Sequence, residues 1–409
     1  MPGPLSHLRV LDLSRILAGP WAGQILADLG ADVIKVERPG TGDETRAWGP
    51  PYLRNRDGSE SREAGYFLAV NRGKRSIAVD LSTREGQDTV RALAVRSDVL
   101  LENYKVGTLS RFGLGYEDLA KINPGLIYCS VTGFGQTGPR RDTVAYDFII
   151  QAMGGLMSVT GERDDLPGGG PQKVGVPIVD IMTGMYVAVA VLAAWARRER
   201  TGEGDFIDVG MLDVGVATLA NQAMNYLITG RPPKRAGNKH PNIQPQDVFR
   251  TSDGFVALAV GNDPQFVKLC EAIERPELAL DERFRTNAAR VRNLSALSDI
   301  LAHVIARRDS SAWVSRFEQA GVPCGPINTI PRVFEDPQVV HRGMLTEIPH
   351  PTAGTVPMVA SPMHFQNASL SLHRPPPLLG EHTEEILREI AQGQREPAES
   401  NGLEDRSRR

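Results

Sequence analysis

The sequence predicts an α/β fold with a parallel sheet in the first half of the chain, followed by a smaller α+β unit. Three observations carry this reading. Short apolar runs alternate with amphipathic helical stretches from His7 to Phe134, the pattern of strands joined by helical crossovers. A long apolar helical stretch follows, and then a basic, Pro-rich loop, RPPKRAGNKHPNIQP, that reads as a boundary.

In chain order, HLRVLDLS is a buried strand and AGPWAGQILADLG a helix ending at Gly30. ADVIKVE, RSIAVDL, DVLLENY and LIYCSVTGF are further strands, with TREGQDTVRALAVRS and YEDLAKINPG as intervening helices. DIMTGMYVAVAVLAAWARRER reads as a strong helix with Asp180 as its N-cap and a basic last turn that suits the helix dipole. GDFIDVGMLD supplies one more strand and turn, and DVGVATLANQAMNYLITG a helix. The predicted division is a large domain over 1–224, a small domain over 225–334, a return segment over 335–390 and a disordered tail over 391–409.

Composition narrows the function classes. Forty-six basic residues nearly cancel 49 acidic ones, for a formal charge of -3, so no global field favours a polyanion such as DNA. Cys129, Cys270 and Cys324 lie far apart without a CxxC pair, and the eight histidines form no metal motif such as HExxH. No secretory leader or membrane-length apolar run is read, which makes the cytoplasm the expected location. The chain has neither a GxSxG elbow nor a GxxxxGK[ST] loop, which removes support for hydrolase and NTPase readings.

What remains points to a small anionic ligand. SRILAGPWAG joins a strand to a helix N-terminus, where free N–H groups can hold a phosphate, yet Gly19 and Gly23 lack the GxGxxG spacing of a dinucleotide site. Arg38, Arg46, Arg72, Lys74 and Arg75 follow predicted strands, at the sheet edge where α/β proteins bind ligands. Asn103, Tyr104 and Arg111 add an amide, a ring and a guanidinium suited to adenine and phosphates. Asp180, at the mouth of a buried helix, is expected to be ionised. The pattern alone leaves it open between a simple N-cap and a functional carboxylate.

The segments AGPWAGQILADLGADVIKVERPGTGDETR, NRGKRSIAVDL, AYDFIIQAMGG and VDIMTGMYVAVAVLAAWARRERTGEG resemble the class III coenzyme A transferases, the formyl-CoA and carnitine-CoA transferase family. NYLITGRPPKRAGNKHPNIQPQDVF, GVPCGPINTI and RPPPLLGEHT look most like the branch that passes CoA from succinyl-CoA to dicarboxylates such as glutarate. The resemblance implies a Rossmann-like large domain, a small domain and a homodimer of interlocked rings, with CoA as substrate and neither metal nor redox cofactor. It makes Asp180 the nucleophile, and it puts Arg38, Lys74, Arg75, Asn103, Tyr104 and Arg111 against CoA. Ile16, Leu17 and Ala18 would line the pocket, Trp48 would lie near the acyl group, and Tyr146 with Asp147 would border the pantetheine end. Racemases of the superfamily carry a histidine where this chain has Tyr146, so acyl transfer is favoured over α-proton abstraction. VGNDPQF keeps only Gly261 of the glycine run that covers the intermediate in formyl-CoA transferases, which argues against oxalate and formyl-CoA. For the far carboxylate of a dicarboxylic acceptor the candidate cations are Arg235, Lys239 and His240.

Overall fold

A computed structural model describes residues 2–370 and 374–393. They fall into two compact units, the first from the residues up to Gly155, Gly175–Ala220 and the described residues from Val340 onward. The second comprises Leu156–Val174 and Asn221–Val339. The stretch 156–174, read from sequence as part of the first unit, therefore belongs to the second.

The first unit is built on six parallel strands: β1 (Arg9–Asp12), β2 (Asp32–Glu37), β3 (Arg75–Ala78), β4 (Val99–Glu102), β5 (Ile127–Thr132) and β6 (Asp205–Gly210), in the order β3-β2-β1-β4-β5-β6. The central strands are almost wholly buried because helices cover both faces, which is why their sequences are continuous apolar runs rather than alternating ones. The strand order is that of doubly wound nucleotide-binding sheets, with its reversal between β1 and β4. Among the helices are α1 (Ala18–Asp28), α2 (Arg84–Ala94), α3 (Thr108–Arg111), α4 (Tyr116–Ile122), α5 (Asp147–Met153) and α6 (Ile178–Thr201). Thr83 caps α2 by accepting from the Gly86 N–H.

Helix α6 is long and apolar enough to cross a membrane by length and composition, with a mean hydropathy of 1.9, contrary to the sequence reading that no such run exists. Its packing is that of a core helix: Val179, Thr183, Gly184, Val187 and Val191 are buried. Gly184 is required there, since a Cβ would stand 2.7 Å from the Ala18 carbonyl oxygen and 2.9 Å from the Trp21 side chain. The opposite face, with Met185, Tyr186 and Val189, is exposed.

The hairpin Leu345–His350/Gly354–Val359 contributes Ile348, Val356 and Met358 to a small core with Phe67 and Leu68, so the return segment docks on the first unit. The C-terminal helix Thr383–Gln392 buries Ile386 in the core over β3, and its Glu385 and Glu389 pair with Arg75. Residues 391 and 392 of the expected tail are thus helical, and 394–409 lie outside the described residues.

The second unit has an antiparallel sheet of Gln246–Arg250, Phe255–Ala259 and Cys324–Pro326 packed by the helices Asp263–Ala272, Leu294–Ile305 and Ser310–Ala320. Trp313, Phe317, Phe266 and Phe284 fill its core. The α+β character follows from the antiparallel strands with helices on their flank.

Candidate active site

The loops after β1 and β4 diverge where the strand order reverses, and a cleft of about 210 Å³ opens between them. Arg15, Ile16, Leu17 and Ala18 form one wall; Asn103, Tyr104 and Lys105 form the next. Thr132, Gly133, Arg141, Tyr146 and Asp180 complete it. Seven of the sequence candidates, Ile16, Leu17, Ala18, Asn103, Tyr104, Tyr146 and Asp180, thus meet in one cavity.

Ile16 is in the left-handed region with φ 72°, which a β-branched residue tolerates only when its surroundings enforce it. Here they do. The Asn103 side chain accepts from the Arg15 N–H at 2.9 Å and donates to the Arg15 carbonyl at 2.6 Å. The Asp43 carboxylate accepts from the Ile16 N–H at 3.3 Å and is itself fixed by the Lys35 ammonium at 2.9 Å. A fully buried set of charges under the cleft, Asp12, Lys35, Asp43 and Lys74, therefore sets the shape of the loop that leads into α1.

Asp180 differs from the expectation in two ways. It is the third residue of α6 rather than its cap, because the helix begins at Ile178 and the capping acceptor is the Asp147 carboxylate, which takes the Val179 N–H at 2.8 Å and the Asp180 N–H at 3.3 Å. Nor does the helix N-terminus keep it strongly ionised. Burial, followed by the charge of Asp147, pushes the Asp180 carboxyl up to about 7. The magnitudes explain the sign: a helix terminus favours an anion by about 0.3–1 kcal/mol, whereas removing a carboxylate from water costs several kcal/mol. The N–H groups that would offset that cost are already bonded to Asp147.

Sequence reading missed three groups here. Tyr66 lies within the field of this pair, and burial, then Asp180 and Asp147, raises its phenol to about 12, so it stays a hydrogen-bond donor. Its ring meets the Trp48 ring edge-on at 5.1 Å. Arg15 and Glu44 form an ion pair that lines the cleft and also a neighbouring one of about 770 Å³. The adjacency of Arg15 to Ile16 was the available signal.

The remaining candidates are dispersed. Arg38 and Trp48 line the neighbouring cleft, with Arg38 exposed, and Arg111 is exposed with its nearest partner the Thr108 hydroxyl at 3.4 Å. Lys74 is wholly buried, its ammonium bonded to Asp12, the Pro20 carbonyl and Asn71 at 2.8–2.9 Å, which occupies all three donors. Arg75 is held by Asp32, Glu385 and Glu389, Arg46 by Glu37 and Glu63, and Arg72 by Asp28. Lys74, Arg46 and Arg72 are bonded to buried carboxylates that need partners, and Arg75 to carboxylates that are part-exposed. In the second unit, Arg235 pairs with Asp164, Lys239 with Asp247 at 2.5 Å, and the His240 ring accepts from the Asn242 and Ile243 N–H groups at 3.1 Å. Arg235 and Lys239 are thus each paired with a neighbouring carboxylate.

Comparison with known proteins gives a consistent picture. A sequence profile described as CoA-transferase family III matches residues 5–383. A succinate–glutarate CoA-transferase of Agrobacterium fabrum is 50% identical over 387 residues, covering 95% of this chain and 96% of the relative. A human succinyl-CoA:glutarate CoA-transferase is 44% identical, covering 95% and 86%. Among solved structures, a CAIB/BAIF family protein from Brucella suis superimposes with a TM-score of 0.84 at 49% identity, over 95% of this chain and 100% of that one.

Proposed function

The chain belongs to CoA-transferase family III and is an enzyme that transfers CoA, and from that premise we propose that it moves CoA from succinyl-CoA to a short dicarboxylate such as glutarate, with Asp180 as the covalent carrier. The observation that carries this reading is the Asp180 carboxylate, buried yet lining a cleft that opens at the switch point of a nucleotide-binding sheet. The glutarate-specific names of relatives at 44–50% identity support the choice of acids.

The chemistry uses only carboxylates and a thioester. The Asp180 carboxylate attacks the thioester carbonyl, the C–S bond breaks, and CoA leaves as thiolate, giving a mixed anhydride. The thiolate then attacks the Asp180 carbonyl carbon, which releases the donor acid and leaves an aspartyl thioester. The acceptor carboxylate displaces the thiolate to form a second anhydride. The thiolate attacks the acceptor's acyl carbon, and Asp180 is regenerated. A nucleophile that titrates near 7 is substantially ionised at neutral pH while its own acyl derivatives remain reactive.

Asp180→Ala is expected to abolish transfer in a coupled acyl-CoA assay while CoA binding survives; turnover in that variant would sink the assignment. The substrate reading is tested by mass-spectrometric screening of succinyl-CoA against mono- and dicarboxylates, with glutaryl-CoA as the expected product. We further propose that the enzyme works as a homodimer. Phe148, Ile149 and Met153 on α5 and Met185, Tyr186 and Val189 on α6 are exposed apolar side chains of the kind a partner subunit covers.

A further inference from the structure

Arg15 lines both clefts, which Lys105 and Arg141, the other cations lining the smaller one, do not. Its backbone is clamped in both directions by Asn103, so the side chain leaves from a fixed point. The guanidinium lies over the Tyr104 ring, 4.9 Å from the centroid. Its Nε is buried and has no hydrogen-bond partner among the described residues. The remaining contact is the ion pair with Glu44, whose partners are 38% and 46% exposed. Exposed pairs of this kind contribute about 0–1 kcal/mol, so Glu44 is a weakly held partner. Lys74, Arg75, Arg46 and Arg72, by contrast, are buried in their ion pairs.

We propose that Arg15 is the ligand for the diphosphate of CoA, and that Glu44 holds the guanidinium in waiting and yields it when the nucleotide spans the two clefts. This rests on the CoA-transferase reading and deepens it. The guanidinium is held by one weak ion pair and its Nε has no partner among the described residues, so it has N–H donors to give to phosphate oxygens once Glu44 yields and the side chain shifts toward the ligand. Arg38, which lines the larger cleft, is a second cation for the same polyanion.

The test is isothermal titration of wild type, Arg15→Gln and Glu44→Gln with CoA and with pantetheine, which has the same thiol arm and no phosphate. Arg15→Gln is expected to weaken CoA about tenfold and to leave pantetheine within about twofold. Glu44→Gln is expected to tighten CoA about threefold, because the competing carboxylate is gone. Unchanged CoA affinity in either variant, an equal loss for pantetheine, or a defect confined to the KM of the acceptor acid would overturn the assignment. Wild type that binds no CoA at all would bring down the enzymatic reading with it, whereas wild type that binds CoA as tightly as Arg15→Gln sinks only the role of Arg15.

Discussion

Buried carboxyls of the first unit are shifted in opposite directions: Asp12 and Asp43 downward, Asp180 upward. Asp12 and Asp43, under the cleft, are desolvated, yet Lys74 and Lys35 outweigh the burial and hold both carboxyls below the usual range. Asp180, in the first turn of α6, has no basic ion-pair partner among the described residues, and burial followed by the charge of Asp147 raises its carboxyl to about 7. Burial is common to both; the cation is the difference. The paired carboxyls are held towards the charged form and serve as scaffold, and Asp180, without a cation, is poised to change its protonation.

Removing a cation from the scaffold is the harshest way to break this comparison. Lys74→Met leaves the fully buried Asp12 with one fewer lysine, and breaking a buried pair on one side costs about 3–5 kcal/mol. Denaturant unfolding should show that loss, and a cost near zero would mean that the network is not what holds the β1 loop. The reverse change at the other site has the opposite sign. The carboxyl of Asp180 is raised from 3.8 to about 7, so between those values the unfolded chain releases a proton that the folded chain keeps, and stability falls as pH rises. The deficit is complete above about pH 7 and amounts to no more than about 4 kcal/mol at 1.36 kcal/mol per unit. Asp180→Asn should therefore be more stable than wild type at pH 8, by about 1–4 kcal/mol, while losing activity. The gain should vanish near pH 4, and equal stabilities at pH 8 would refute the desolvated carboxyl.

The same contrast explains what the sequence made legible. The inner strands β1, β4 and β5 are readable because parallel strands buried on both faces are apolar runs, whereas β6, at the sheet edge, is half exposed; the meeting of Ile16–Ala18, Asn103, Tyr104, Tyr146 and Asp180 follows from the strand order together with the family resemblance. The cations misled because a basic residue after a strand looks the same whether it faces a ligand or a buried acid. Lys74 and Arg75 pair with Asp12 and Asp32, residues 62 and 43 positions away. Such long-range pairing leaves no local pattern. The ionisation of Asp180 was misjudged for a related reason: the helix start is visible in sequence, but the claim of Asp147 on the same N–H groups, from 32 and 33 residues upstream, is not.

The mildest perturbation sharpens the comparison most. Asp147→Asn keeps an oxygen for the Val179 and Asp180 N–H groups, so the cap of α6 survives, but it removes the negative charge that is the second cause of the raised Asp180 carboxyl. Burial, the first cause, stays. With Asp180 as the proposed nucleophile, transfer needs its ionised form, so kcat/KM in wild type should fall below about pH 7. In Asp147→Asn that acid limb should move to lower pH, giving a relative gain of about threefold at pH 6 over pH 8. Charge and cap are separable here because the amide performs one role of the carboxylate and not the other. A limb that stays put would assign the whole shift to burial, and Asp147 would then be a helix cap and nothing more.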